Sequence, residues 1–91
     1  MKKLRQALFS QNFLHNRGLV NRLVRSSSIG KNDPVLEIGP GKGIITEFLL
    51  EQAQYVLAVE IDYKYCQYLR AKFENSADLT IYNQDILGYA L

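Results

Sequence analysis

The sequence predicts an α/β domain: three parallel strands in spatial order 3-2-1, preceded by an N-terminal helix. Two observations predict it. Short β-branched runs alternate with stretches of helical periodicity in the order strand, helix, strand, helix, strand, which is the pattern of parallel βαβ units with right-handed crossovers. A glycine-rich turn, Gly39-Pro40-Gly41-Lys42-Gly43, joins the first strand to the helix after it, as in one half of a doubly wound sheet.

Residues 1–16 lack sustained periodicity and read as a basic arm. From 17 the chain reads as one partial ligand-binding domain running to Leu91. In 17–29 the apolar residues Leu19, Val20, Leu23 and Val24 recur one turn apart, with Arg22 and Arg25 elsewhere on the wheel, so an amphipathic helix is expected. Gly30 is placed to end it in a left-handed cap, and Asn32-Asp33-Pro34 makes the turn that follows. Residues 35–38 form the first strand. Residues 44–53 are a helix with Ile44, Ile45, Phe48 and Leu49 on one face and Glu47 and Glu51 on the other. Residues 55–59 are the second strand, closed by Glu60. Asp62 caps a third helix at about 63–74 whose inner face is Tyr65, Cys66, Leu69 and Phe73. Residues 79–82 are the third strand, and Asn83-Gln84-Asp85 follows its end. The first strand is central in such a sheet, yet one of its edges has no partner here. That open apolar edge suggests the front part of a longer protein, prone to self-association.

Length and composition narrow the class. Ninety-one residues, 47% hydrophobic and 22% charged, fit one small globular unit rather than a disordered tail. The longest apolar run is 55–59, too short to cross a bilayer, and only Ala7-Leu8-Phe9 follows the basic start, too little for a signal peptide. One cysteine, Cys66, rules out an internal disulfide and suits a reducing, cytoplasmic setting; with His15 it cannot make an ordinary zinc site, so no metal is expected. The net charge of +2 conceals an asymmetry. Residues 1–31 carry Lys2, Lys3, Arg5, Arg17, Arg22, Arg25 and Lys31 and no acid, whereas 32–91 carry a net −5. A basic segment on an acidic body suits a polyanion partner, although a solvated helix face gives the same count.

The glycine turn carries the chemistry. Residues 37–43 read E-x-G-x-G-x-G between a strand and a helix. Glycines there permit positive φ and let a ligand approach the backbone, and the helix N-terminus offers free N–H groups. A dinucleotide fingerprint, G-x-G-x-x-G, would need glycine at 44, where the chain has Ile44; G-x-G-x-G suits S-adenosylmethionine, which has no pyrophosphate to cradle. Glycines can also serve strand–helix packing alone. Glu60 ends the second strand 21 residues after Gly39, where a carboxylate can accept from ribose hydroxyls. Asp85 follows the third strand at the same carboxyl edge and can accept from an adenine amino group. Glu37 either orients the loop or reaches a ligand ammonium through water.

Ser10-Gln11-Asn12-Phe13-Leu14, the 37–43 loop, Glu60-Ile61-Asp62 and Gln84-Asp85-Ile86 together resemble the ribosomal RNA adenine N6-dimethyltransferase family, which includes housekeeping small-subunit enzymes and erythromycin-resistance large-subunit enzymes. The resemblance runs from about residue 9 to 87. It implies the N-terminal half of a Rossmann-like methyltransferase, with S-adenosylmethionine as cofactor. It further implies that Asn12 and Leu14 contact that cofactor and Gln11 lines its pocket. Gly39, with Gly41 beside it, would lie along the methionine, Glu60 hold the ribose and Asp85 the adenine. His15 takes no role. The family's catalytic motif, N-[I/L]-P-[F/Y], is expected after a fourth strand, beyond Leu91, so no catalytic residue is assigned within the 91. Asn32-Asp33-Pro34-Val35 lacks the motif's aromatic and precedes the glycine loop. The expectation is therefore a parent enzyme that dimethylates adenine N6 in ribosomal RNA, acts as a monomer, and grips RNA partly through Lys2, Lys3, Arg5, Arg17, Arg22 and Arg25. The 91 residues alone would be inactive. Two other classes stay open: a nicotinamide-dependent oxidoreductase fragment and a non-catalytic RNA-binding module.

Overall fold

The computed structural model describes residues 2–3 and 16–88. The expected alternation is present: β1 (Lys2–Lys3), α1 (Arg17–Ser26), β2 (Pro34–Ile38), α2 (Ile44–Gln52), β3 (Tyr55–Glu60), α3 (Tyr63–Lys72), β4 (Leu79–Asn83) and a 3₁₀ turn (Ile86–Gly88). The sheet is parallel throughout, in order β1-β2-β3-β4. Its last three strands are the three read from the sequence, laid side by side as expected.

One edge differs from expectation. The outer side of β2, read as unpartnered, carries the two-residue β1, which pairs Lys2 with Val35 and Lys3 with Leu36. The part of the arm at 2–3 is thus a short parallel edge strand, and a strand that brief has no apolar periodicity to announce it.

The core lies between the sheet and the first two helices. Val20 and Val24 of α1, Ile45 and Leu49 of α2, Val35 of β2 and Val56 of β3 are all buried, with Ile29 from the loop after α1. Val35 and Val56 are register partners, so they stand on one face of the pleat. On the other face Leu36, Leu57 and Thr80 align across the strands and are half-buried, while Ile38 and Tyr82 are exposed.

The ends of the elements follow local chemistry. Asn16 caps α1, its Oδ1 accepting from Leu19 N at 3.0 Å. The helix stops at Ser26, three residues short of the expected end. Ser26 Oγ donates to Arg22 O at 2.7 Å and Ser27 Oγ to Val24 O at 2.5 Å, so serine hydroxyls take the last carbonyls. Gly30 adopts no positive φ and is not the cap. Instead its N–H donates to Asp33 Oδ2 at 2.7 Å and its carbonyl accepts from Asp33 N at 3.0 Å, forming the turn into β2. Gln52, at the end of α2, donates its amide to Val24 O (2.8 Å) and Ile29 O (2.6 Å), fastening the two helices' carboxyl ends together.

Asp62 caps α3 as expected, accepting from Lys64 N at 2.8 Å. The inward face of α3 is Cys66, Leu69 and the half-buried Phe73; Tyr65, expected among them, is 39% exposed. Three residues one turn apart suffice to cover the sheet, and Tyr65 stands outside that stripe.

Candidate functional site

Three strand ends meet at the carboxyl edge of the sheet. The chain leaves β2 through Gly39, Gly41 and Gly43, with φ of 71°, 57° and 81°; no other described residue has positive φ. Gly39 N donates to Val59 O at 2.8 Å, and Gly43 N closes the turn on Pro40 O at 2.9 Å.

The three glycines are not equivalent. A Cβ at Gly43 would stand 2.7 Å from Leu69 Cδ2 and 2.8 Å from Phe73 Cε2, whereas nothing lies within 4 Å of a Cβ at Gly39 or Gly41. Gly43 lets α3 pack against the start of α2. Gly39 and Gly41 face open space, which packing does not explain and which leaves room for a ligand beside the backbone.

Glu60 organises the loop from the end of β3. It is 5% exposed; Oε1 accepts from Gly41 N and Oε2 from Asp62 N, both at 2.9 Å. A carboxylate oxygen has two acceptor positions, so each keeps one for a further donor. Its backbone carbonyl accepts from Gln84 N at 3.1 Å and Asn83 Nδ2 at 3.1 Å, and Asn83 Nδ2 also donates to Ile61 O at 3.0 Å. Asn83 therefore clips the end of β4 to the end of β3. Asp85 follows as an exposed residue whose Oδ1 accepts from Leu87 N at 3.0 Å.

Gly39, Glu60 and Asp85 line one cleft of about 150 Å³, with Ile38, Ile61 and Ile86 as apolar neighbours. Ligand sites typically enclose about 300–1,000 Å³, so the described residues shape one part of such a site. Gly41 does not line the cleft; it is joined to it by the bond from its N–H to Glu60. Gln11, Asn12 and Leu14, together with Arg5 and His15, lie outside the described residues. Leu91 lies outside them as well, and with it the expectation that the catalytic motif follows that residue.

Glu37 stands two residues before Gly39 and is fully buried. Oε1 accepts from Thr46 Oγ1 at 2.5 Å, while Oε2 has no hydrogen-bond partner. Burial raises the carboxyl to about 7; Thr46 opposes that and the neighbouring Glu60 adds to it. Of the two roles read for Glu37, the geometry supports orientation: it ties β2 to the first turn of α2, directly behind the loop. In the sequence no role is read for Thr46 or Asn83, and Ile61 enters only within Glu60-Ile61-Asp62. A hydroxyl among the apolar positions of α2 was the available sign for Thr46; Asn83 gave none.

The basic segment is partly engaged within the fold. Arg17 pairs with Glu47 at 2.6 Å, and its guanidinium lies 5.3 Å from the centre of the Phe48 ring. Arg22, Arg25 and Lys31 are exposed. No described helix is long and apolar enough to cross a membrane, and no group of three or more metal-ligating side chains forms among the described residues.

A sequence model of ribosomal RNA adenine dimethylases matches residues 1–91. The chain belongs to the ribosomal RNA adenine dimethylase family. Among curated relatives, ribosomal RNA small subunit methyltransferase A of Geobacter sulfurreducens is 42% identical over 89 residues, which are 98% of this chain and 32% of that protein. The chain thus spans about a third of the length of the relatives it matches. Among solved structures, the 23S rRNA methyltransferase ErmE superposes with a TM-score of 0.75 at 30% identity, covering 84% of this chain and 31% of that one. A dimethyladenosine transferase from Plasmodium falciparum gives 0.73 at 28% identity, covering 84% of this chain and 28% of that one. The chain shares the α/β fold of these methyltransferases, with the alternation of strands and helices read from its sequence.

Proposed function

We propose that the protein to which these residues belong transfers methyl groups from S-adenosylmethionine to the N6 nitrogen of adenine in ribosomal RNA, and that the 91 residues build most of its cofactor site. Family membership supports the class of reaction. The observation that carries the site is the open space at Gly39 and Gly41 beside two acids at neighbouring strand ends.

The residues present fit the cofactor. The loop backbone at Gly39 and Gly41 can lie against the methionine portion without a Cβ between them. Glu60 keeps one acceptor position on each oxygen for the ribose hydroxyls, while its bonds to Gly41 and Asp62 hold it still. Asp85 accepts from the adenine amino group, and Ile38, Ile61 and Ile86 give that base apolar faces and exclude water. Gln11, Asn12 and Leu14 are assigned to the same pocket from the resemblance. The residues divide into a basic arm at 1–16 and the cofactor-binding part at 17–91.

When bound, S-adenosylmethionine supplies a sulfonium methyl already activated for in-line displacement. The acceptor must come within about 3–3.5 Å of that methyl, and the adenine must leave its stack to do so. No N-[I/L]-P-[F/Y] element occurs among the 91 residues, so this stretch binds the donor and does not itself position the acceptor. The cation-rich segment 1–31, with Arg22 and Arg25 exposed on α1, adds attraction to RNA phosphates that weakens with salt.

Calorimetry on the 91-residue chain tests this reading. S-adenosylmethionine should bind and NAD should not. Asp85→Asn, at an exposed position, should weaken binding by about 5–15-fold, the difference between a charged and a neutral acceptor. Equal affinity for both cofactors, or an unchanged affinity in Asp85→Asn, would contradict the assignment. Methyl transfer to ribosomal RNA by this chain alone would contradict the division of labour.

A further inference from the structure

A second, larger concavity lies at the opposite edge of the sheet. It measures about 410 Å³ and is lined by Asn21 and Arg25 of α1, Gly30 and Lys31 of the loop before β2, and Phe48, Glu51 and Gln52 of α2. Gly30 and Lys31 precede the start of β2, and Gln52 precedes the start of β3. The glycine loop follows the end of β2. Five strand residues at about 3.3 Å each separate the two places, so this is not an extension of the cofactor cleft.

The lining has an unusual composition for a gap between helices. Arg25 and Lys31 are exposed, and no acid pairs with either among the described residues. Phe48 forms an aromatic wall whose ring already has the Arg17 guanidinium at 5.3 Å from its centre. Asn21 offers a complete amide. Gln52 has committed its nitrogen to Val24 O and Ile29 O, which leaves its carbonyl oxygen as an acceptor. These bonds also fix the floor, because they fasten α1 to α2 beneath the concavity. Glu51 at the lip is the one acid of the lining.

Two cations, a flat apolar wall and a pair of amides are the parts that bind a nucleotide: the phosphate takes the cations, the base takes the wall, and the amides read its edge. The volume falls in the range of small-ligand sites. We propose that this concavity holds one unpaired nucleotide of an RNA strand, with the phosphate on Arg25 and Lys31 and the base against Phe48. The identification of RNA as the source of that nucleotide rests on the reading given above; the nucleotide chemistry itself does not. Such a contact, remote from the methyl donor, would anchor a long RNA at two points and help set its register.

The test uses the 91-residue chain and a fluorescein-labelled, unstructured ten-nucleotide RNA, followed by anisotropy from 50 to 200 mM salt. Arg25→Gln combined with Lys31→Gln should weaken binding about tenfold at the low-salt end. It should also flatten the dependence of log K on log salt by about 0.7, the contribution of the one phosphate contact to a single strand that the two cations share. Lys64→Gln, which removes a cation of α3, should change affinity less than twofold. Phe48→Leu should weaken binding while leaving the salt dependence alone, and circular dichroism identifies any variant that has lost its fold. AMP at millimolar concentration should shift the amide resonances of Asn21 and Gln52. If AMP does so while the RNA binds wild type and double variant alike, the site takes free nucleotides and the RNA proposal is overturned. An equal loss per charge in Lys64→Gln would also overturn it, because attraction would then be diffuse. Calorimetry with S-adenosylmethionine on the same proteins separates the two readings, as the Arg25/Lys31 variant should bind the cofactor like wild type.

Discussion

Gly39, Gly41 and Gly43 share a backbone conformation that side chains resist, yet only Gly43 has neighbours where a Cβ would go. Gly43→Ala adds left-handed strain of about 1–2 kcal/mol to overpacking of about 1–3 kcal/mol. Gly39→Ala bears the strain alone. Chemical denaturation should therefore rank Gly43→Ala as clearly the less stable. Cofactor affinity should rank them the other way, with Gly39→Ala losing more binding for the stability it retains. Glu37 makes a second residue-scale case. Its carboxyl rises from 4.5 to about 7 in the folded chain, so between those values the folded state holds a proton that the unfolded chain has released. Stability should fall as pH rises through that window and level off above it, by up to about 3 kcal/mol from this group. Glu37→Gln should flatten that slope in urea titrations at pH 5 and pH 8. A slope unchanged in the variant would mean that another group carries it.

At the scale of elements, the sequence was most legible where period and capping agreed. The helix at Ile44–Gln52 and the cap at Asp62 were readable because apolar spacing and a short polar side chain pointed to the same boundary. The end of α1 was not, because Gly30 offers a plausible stop while Ser26 and Ser27 compete earlier for the same carbonyls. The β1 strand was invisible for want of any pattern, and the outward turn of Tyr65 depends on how α3 is rotated against the sheet. Of the site, Gly39, Glu60 and Asp85 were legible because strand ends in a parallel sheet share an edge; the role of Asn83 was not, since it depends on β3 and β4 ending in register. Element packing also fixes the chemistry of Cys66. It is completely buried on α3, and burial pushes its thiol above the usual range. Native protein should react with a thiol reagent orders of magnitude more slowly than urea-unfolded protein. Rapid native labelling would show that α3 opens readily. Asp62→Ala should cost about 0.5–2 kcal/mol through the lost cap, read as a lower denaturation midpoint with an unchanged slope.

The whole molecule separates two faces of one task. The carboxyl edge collects acids, open glycines and apolar residues around a cleft, while Arg17, Arg22 and Arg25 stand on α1 and Lys31 in the loop before β2. A neutral or cationic ligand suits the first and a polyanion the second. Binding of S-adenosylmethionine at one hundred times its dissociation constant should stabilise the fold by about 2.7 kcal/mol, a gain that differential scanning fluorimetry would register. The most direct measurement is an amide-resolved NMR titration of the 91-residue chain with S-adenosylmethionine. The largest shifts should fall together on Gly39, Gly41, Ile61 and Asp85, with Lys31 and Gln52 unmoved; shifts scattered over the helices, or none at the cleft at saturating cofactor, would contradict a donor site built from these strand ends.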